Sequence, residues 1–136
     1  MNSDLKPFSD TVPIQKNEPL NLDEKTEEIQ ALKDYMQEKE PYLDSSLTIQ
    51  DLSEQVQIPV KDLSTLINLY MDKHFFDFVN EYRIEKAMQI LRDPDQKKLT
   101  VLEILYKVGF NSKSSFNTSF KKHTGKTPTE YRKQSL

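Results

Sequence analysis

The sequence predicts an all-α fold, and three observations carry that expectation. Only two glycines, Gly109 and Gly125, occur in 136 residues, too few for the tight turns of an all-β chain. Apolar residues recur at three- and four-residue spacing along several stretches, the period of a buried helix face. Threonine is followed three residues later by an acid at Thr48/Asp51 and Thr100/Glu103. That pairing marks helix starts, because hydroxyl and carboxylate satisfy N–H groups that the first turn leaves without partners.

The elements follow in order. Residues 1–22 hold Pro7, Pro13 and Pro19 with little periodicity and are expected to be a mostly disordered arm or linker remnant. A first helix is expected over 23–39, with Ile29, Leu32 and Met36 on one face and Glu40-Pro41 as its stop. A second starts after Thr48, turns Leu52 and Val56 inward and ends before Pro59. A third spans 60–72, burying Leu63, Leu66, Ile67 and Tyr70 and leaving Lys61, Ser64, Thr65 and Asn68 on its other side. Phe75, Phe78, Val79, Tyr82, Ala87, Ile90 and Leu91 then outline one long helix over 75–91.

Asp93-Pro94-Asp95 breaks the pattern, and Thr100 caps a fifth helix with Val101, Ile104, Leu105 and Val108 inward. Gly109 supplies a positive-φ stop and Phe110 folds back on the preceding turn. A sixth helix opens at Ser112 or Lys113 and buries Phe116 and Phe120. Its open face carries Lys113, Ser114, Asn117, Thr118 and Lys121. Gly125 closes it, and Thr127-Pro128 starts a short last helix ending near Gln134. Capped helix, turn and polar-faced helix thus occur twice, near 49–72 and 100–123, the pattern of two helix-turn-helix units. The expected division is an arm over 1–22, a first subdomain over 23–74, a linker helix over 75–92 and a second subdomain over 93–136.

The net charge of −3 conceals a polarity. Residues 1–41 and 42–95 each carry five basic groups against ten acids, whereas 96–136 carry nine basic groups against Glu103 and Glu130. A basic final third is an electrostatic footprint for phosphates. The absence of cysteine excludes disulfides, thiolate metal sites and a cysteine nucleophile. No glycine-rich phosphate loop and no His/carboxylate cluster appears, so the expectation is no enzyme, no cofactor and no metal. His74 and His123 lack ligand-like spacing. No apolar run approaches the ~20 residues that span a bilayer, and a soluble, cytoplasmic chain is expected.

Arg83-Ile84-Glu85-Lys86-Ala87 through Leu91, Leu99-Thr100-Val101 and Val108-Gly109-Phe110 carry a family resemblance. Ser115-Phe116, Phe120-Lys121-Lys122, Thr124-Gly125 and Thr127-Pro128-Thr129-Glu130-Tyr131-Arg132 continue it. Over 42–133 the chain resembles the C-terminal DNA-binding domain of AraC/XylS-type transcription regulators. The resemblance implies a seven-helix tandem domain, two homeodomain-like subdomains joined by a long linker helix. It further implies that two recognition helices read adjacent major-groove segments of double-stranded DNA. Tyr42-Leu43 and the run 76–83 look like the Bacteroidetes-type subgroup, many of whose members carry this domain behind a membrane or sensor segment. An upstream segment of that kind, and RNA polymerase, are the protein partners the resemblance implies.

Three positions depart from the common pattern. Thr118 stands where arginine is frequent, Leu105 where alanine is usual, and no glycine follows the first recognition helix at 71–74.

Base-reading candidates are Lys61, Ser64, Thr65 and Asn68 in the first unit and Lys113, Ser114, Asn117, Thr118 and Lys121 in the second. Asn117 suits adenine in bidentate fashion and Thr118 a thymine methyl. Lys107, Lys122, Lys126 and Thr127 are phosphate candidates, the last at a helix N-terminus. Phe110, Phe116, Phe120 and Tyr131 are expected to pack the core. The rival expectation is a helical protein-interaction module working through the acidic residues 1–95, with weak or lost DNA binding.

Overall fold

The computed structural model describes residues 22–136, and among them lie seven α-helices and no strand. Apart from Leu22, which already belongs to the first helix, the arm expected at the N-terminus lies outside the described residues. Helix α1 (Leu22–Lys39) ends where Glu40 takes a left-handed φ of 50° ahead of Pro41. The proline ring disfavours right-handed helical geometry in the residue before it, so the chain leaves the helix there. A single 3₁₀ turn, Pro41–Leu43, follows and buries Tyr42.

Helix α2 (Ile49–Val56) starts on the anticipated capping box: Asp51 N–H donates to Thr48 Oγ1 at 3.1 Å and Thr48 N–H to Asp51 Oδ2 at 3.1 Å. Helix α3 (Val60–Thr65) does not run on as a regular helix to residue 72. It widens into a π-helical turn, Leu66–Tyr70, closed by the Met71 N–H on the Leu66 carbonyl at 3.1 Å. Asp72 then takes φ 56°. An aspartate tolerates that left-handed geometry better than most side chains, so the exit turn forms without a glycine. Leu63, Leu66 and Ile67 are buried as expected, but Tyr70 is only half-buried. Its ring lies against α1 instead, with the Lys25 ammonium 5.5 Å from its centroid.

Helix α4 (Phe75–Leu91) is the long helix read from the periodicity. It serves two cores. Phe78 and Val79 pack with Leu32, Met36, Tyr42, Leu52, Leu63 and Ile67, whereas Ile84, Ala87, Ile90 and Leu91 pack with Ile104, Leu105, Val108, Phe110, Phe116 and Phe120. The change of partner falls between Val79 and Ile84, where Arg83 is buried at 5 % exposure.

A 3₁₀ turn, Pro94–Gln96, leads to α5 (Val101–Lys107), whose capping box joins Thr100 and Glu103 as expected. Helix α6 (Lys113–Thr124) is capped by Ser112 and stopped by Gly125 at φ 77°. Helix α7 (Pro128–Ser135) begins on a third capping box, Thr127 with Glu130. Rings of Phe110, Phe116, Phe120 and Tyr131 meet in sequence at centroid distances of 5.3, 5.6 and 5.5 Å. Full burial of a phenylalanine contributes about 1.5–3 kcal/mol, so Phe116 and Phe120, both at 0 % exposure, anchor α6 firmly. Leu105 is absorbed in this core at 1 % exposure. The Arg132 guanidinium ties α7 to the carbonyls of Leu99 (2.5 Å) and Gln96 (3.2 Å).

Candidate nucleic-acid interface

Helix α6 separates its two faces cleanly. Phe116 and Phe120 fill the core, while Lys113, Ser114, Asn117, Thr118 and Lys121 are all exposed. Ser112 holds the helix start, its Oγ accepting from the Ser115 N–H at 3.2 Å. The helix contains no acidic residue and ends in Lys121, Lys122 and His123. Asn117, Thr118, Lys121 and Lys122 line one shallow concavity. A face of this kind offers donors, an amide able to pair with a base edge and mobile cations, borne on a helix of a width that enters a major groove.

The polar face of α3 and its π turn is less open. Lys61, Thr65 and Asn68 are exposed and Ser64 is half-buried. Thr65 Oγ1 donates back to the Lys61 carbonyl at 3.0 Å, and Asn68 Nδ2 donates to Ser64 Oγ at 3.0 Å. Three of the four candidates are thus already hydrogen-bonded within the helix, and Asp62 and Asp72 flank them. Leu69, beside Asn68, is 67 % exposed. Sequence reasoning passed over Leu69, because a single leucine on a half-buried helix is most often core.

The four phosphate candidates fare differently. Lys107 is exposed at the end of α5. Lys122 lies 3.4 Å from Asp77 of α4, with both side chains well exposed. The Lys126 ammonium contacts the Gln134 side chain, and the Lys126 N–H donates to Thr124 Oγ1 at 3.1 Å. Thr127 is committed to its cap: the Glu130 N–H donates to Thr127 Oγ1 at 3.2 Å, and the Thr127 N–H donates to Glu130 Oε1 at 2.9 Å. Hydrogen bonds from the Thr127 backbone and then its side chain hold the Glu130 carboxyl below its ordinary pKa. An anion therefore already occupies the α7 N-terminus, where a DNA phosphate was expected, and a phosphate must compete with it.

Two structural features of the site were missed. Asp77, read only as part of the linker helix, reaches Lys122 of α6. Arg83, read as a motif residue, links the two halves. Its Nε donates to the Tyr42 carbonyl at 2.7 Å, Nη2 to the Asp44 carbonyl at 2.9 Å and Nη1 to Asn80 Oδ1 at 3.0 Å. Its guanidinium carbon lies 5.7 Å from the Phe110 ring centroid. Burial lowers the Arg83 pKa from its ordinary value.

No three His, Cys, Asp or Glu side chains among the described residues converge as metal ligands. No described helix is long and apolar enough to cross a membrane.

Comparison with known proteins adds to this geometry. A family described as a helix-turn-helix domain matches residues 52–134. The HTH-type transcriptional regulator YdeC of Bacillus subtilis is 30 % identical over 87 residues, covering 64 % of this chain and 29 % of that protein. The melibiose operon regulatory protein of Escherichia coli is 30 % identical over 92 residues, covering 68 % and 30 %. The chain thus spans about three tenths of the length of these curated relatives. The C-terminal domain of the two-component response regulator yesN from Fusobacterium nucleatum superposes with a TM-score of 0.63 at 30 % identity, over 78 % of this chain and 98 % of that one.

Proposed function

The chain belongs to the AraC-type family of helix-turn-helix domains, and from that premise we propose that it binds double-stranded DNA sequence-specifically and regulates transcription. Helix α6 reads one major-groove segment, and α3 with its π turn reads the adjacent one. The observation that carries this reading is the exposed, acid-free face of α6 standing on a fully buried phenylalanine pair.

The second unit supplies most of the affinity. Its basic groups attract phosphates regardless of sequence, and Asn117 and Thr118 select bases. The first unit adds selectivity but little charge, because its candidates lie among acids and are largely engaged within their own helix. The relatives are named as regulators, which favours this reading over a pure protein-interaction module, and the family is one of DNA-binding domains, not of enzymes. Contact with RNA polymerase, a sensor or membrane segment upstream, membership of the Bacteroidetes-type subgroup and action in the cytoplasm complete the proposal.

Selection of duplexes from a random-sequence pool by the 136-residue chain tests it. The expected outcome is an enriched bipartite sequence for which the logarithm of the affinity falls linearly with log salt. If Lys107, Lys122 and Lys126 each meet a phosphate, the slope is roughly −3. No enrichment, or affinity indifferent to salt, overturns the proposal.

A further inference from the structure

The two cores share no buried side chain, yet the turn before α6 is seated directly on the turn that follows α1. A Cβ built on Gly109 would lie 2.2 Å from the Tyr42 carbonyl oxygen, 2.7 Å from Arg83 Nε and 3.3 Å from the Leu43 carbonyl carbon. Phe110, the next residue, covers the Arg83 guanidinium. That guanidinium is in turn bonded to the carbonyls of Tyr42 and Asp44. Backbone of the first subdomain, a buried cation of the linker helix and the turn that aims the second recognition helix therefore meet at one joint.

We propose that Arg83 is a positioning residue for DNA recognition, and that this joint sets which spacing between the two half-sites the protein accepts. The inference rests on the reading of the chain as a two-site DNA binder. One base pair moves a half-site by roughly 3.4 Å and rotates it by roughly 35° about the helix axis. A rigid joint cannot follow that displacement, whereas a loosened one can. The rigidity comes from the planar fork: two of its nitrogens hold two carbonyls of the same turn while its central carbon lies over the Phe110 ring. A lysine supplies the charge but neither the fork nor the plane.

The test has two arms. In the first, the selected bipartite duplex is compared with versions carrying one base pair more or less between half-sites. The unaltered protein should lose about tenfold in affinity for each change, a penalty of the size of one lost base contact, and Arg83→Lys only about threefold. In the second arm, no DNA is present. The chain has no cysteine, so spin labels at Glu54→Cys and Tyr106→Cys report the distance between α2 and α5. One narrow distance distribution should broaden in Arg83→Lys.

Phe110→Leu removes the ring from beneath the guanidinium, should behave like Arg83→Lys in both arms, and decides the matter if the lysine variant does not fold. An unchanged spacing penalty with an unchanged distribution overturns the inference while leaving DNA binding intact. Selection of only a single half-site also overturns it. If no sequence is enriched, the DNA-binding reading fails, and the distance arm still reports on the joint itself.

Discussion

Arg83 Nε donates a 2.7 Å hydrogen bond to the carbonyl oxygen of Tyr42, forty-one residues earlier in the chain. The same guanidinium reaches Asp44 and Asn80 and lies against Phe110. One side chain thus satisfies backbone acceptors of one subdomain while packing on an aromatic ring of the other.

Removing it leaves the buried Tyr42 carbonyl and the partly buried Asp44 carbonyl without their donor. Arg83→Met should cost about 2–4 kcal/mol, the range for stranding buried polar partners. Urea denaturation measures this, and a loss below about 1 kcal/mol would mean that water replaces the guanidinium at no cost.

Both glycines have positive φ, but their surroundings differ. At Gly125 no atom beyond its chain neighbours lies within 4 Å of the place a Cβ would take, whereas at Gly109 that Cβ would overlap the Tyr42 carbonyl. Gly125→Ala should therefore cost about 1 kcal/mol from backbone strain alone. Gly109→Ala adds a steric clash and should cost at least about 3 kcal/mol. Equal melting temperatures for the two variants would contradict this order.

The Asp77–Lys122 pair is exposed, so it contributes little to stability. It bears on the proposed DNA contact because it places a carboxylate beside a cation assigned there to a phosphate. Asp77→Asn should strengthen binding to all duplexes a few-fold. Lys122→Ala should weaken all sequences about equally and reduce the salt slope by about 1. Asn117→Ala, by contrast, should change preference at one or two base pairs. Binding titrations on matched and mismatched duplexes separate these outcomes, and the reverse pattern would mean that the DNA-facing side of α6 is rotated.

Burial, followed by the nearby Glu40 charge, raises the Tyr42 pKa far above its ordinary value, and burial first also raises that of Tyr82. A raised folded-state pKa means that the fold keeps protons the unfolded chain gives up. Their contribution is complete below the unfolded value of about 10 and declines as pH rises beyond it. Alkaline titration should show tyrosinate absorbance for these two rings appearing only with loss of helical circular dichroism. Tyr42→Phe should move that unfolding to higher pH.

Glu40 works in the opposite direction. A hydrogen bond from Lys86 at 2.6 Å is the leading cause that holds its carboxyl below the ordinary value. The stability it lends is present above the ordinary carboxylate range and is lost as pH falls through its lowered value. Glu40→Gln should flatten the acid limb of a stability–pH profile, and an identical limb would show that Lys86 gives the carboxylate no advantage over water.

The amino-acid sequence by itself determined the local structure. Thr48, Thr100 and Thr127 start helices, Glu40-Pro41 and Gly125 stop them, and the apolar period of 75–91 is one uninterrupted helix. These are short-range matters of capping, φ preference and periodicity, which neighbours in the chain settle among themselves. The polar face of α6 was legible for the same reason, since buried Phe116 and Phe120 leave its other side outward.

Only the tertiary structure decided how the two helix-turn-helix units stand to each other and how open each candidate face is. The π turn at Leu66–Tyr70 and the half-burial of Tyr70, whose ring meets Lys25 of α1, were not readable from the local pattern. Asp77 reaches Lys122 and Arg83 reaches Tyr42 across more than forty residues. A hydrogen bond between such distant positions leaves no period, cap or turn signal in the chain. It exists because tertiary packing brings backbone carbonyls within reach of a guanidinium whose burial would otherwise be costly.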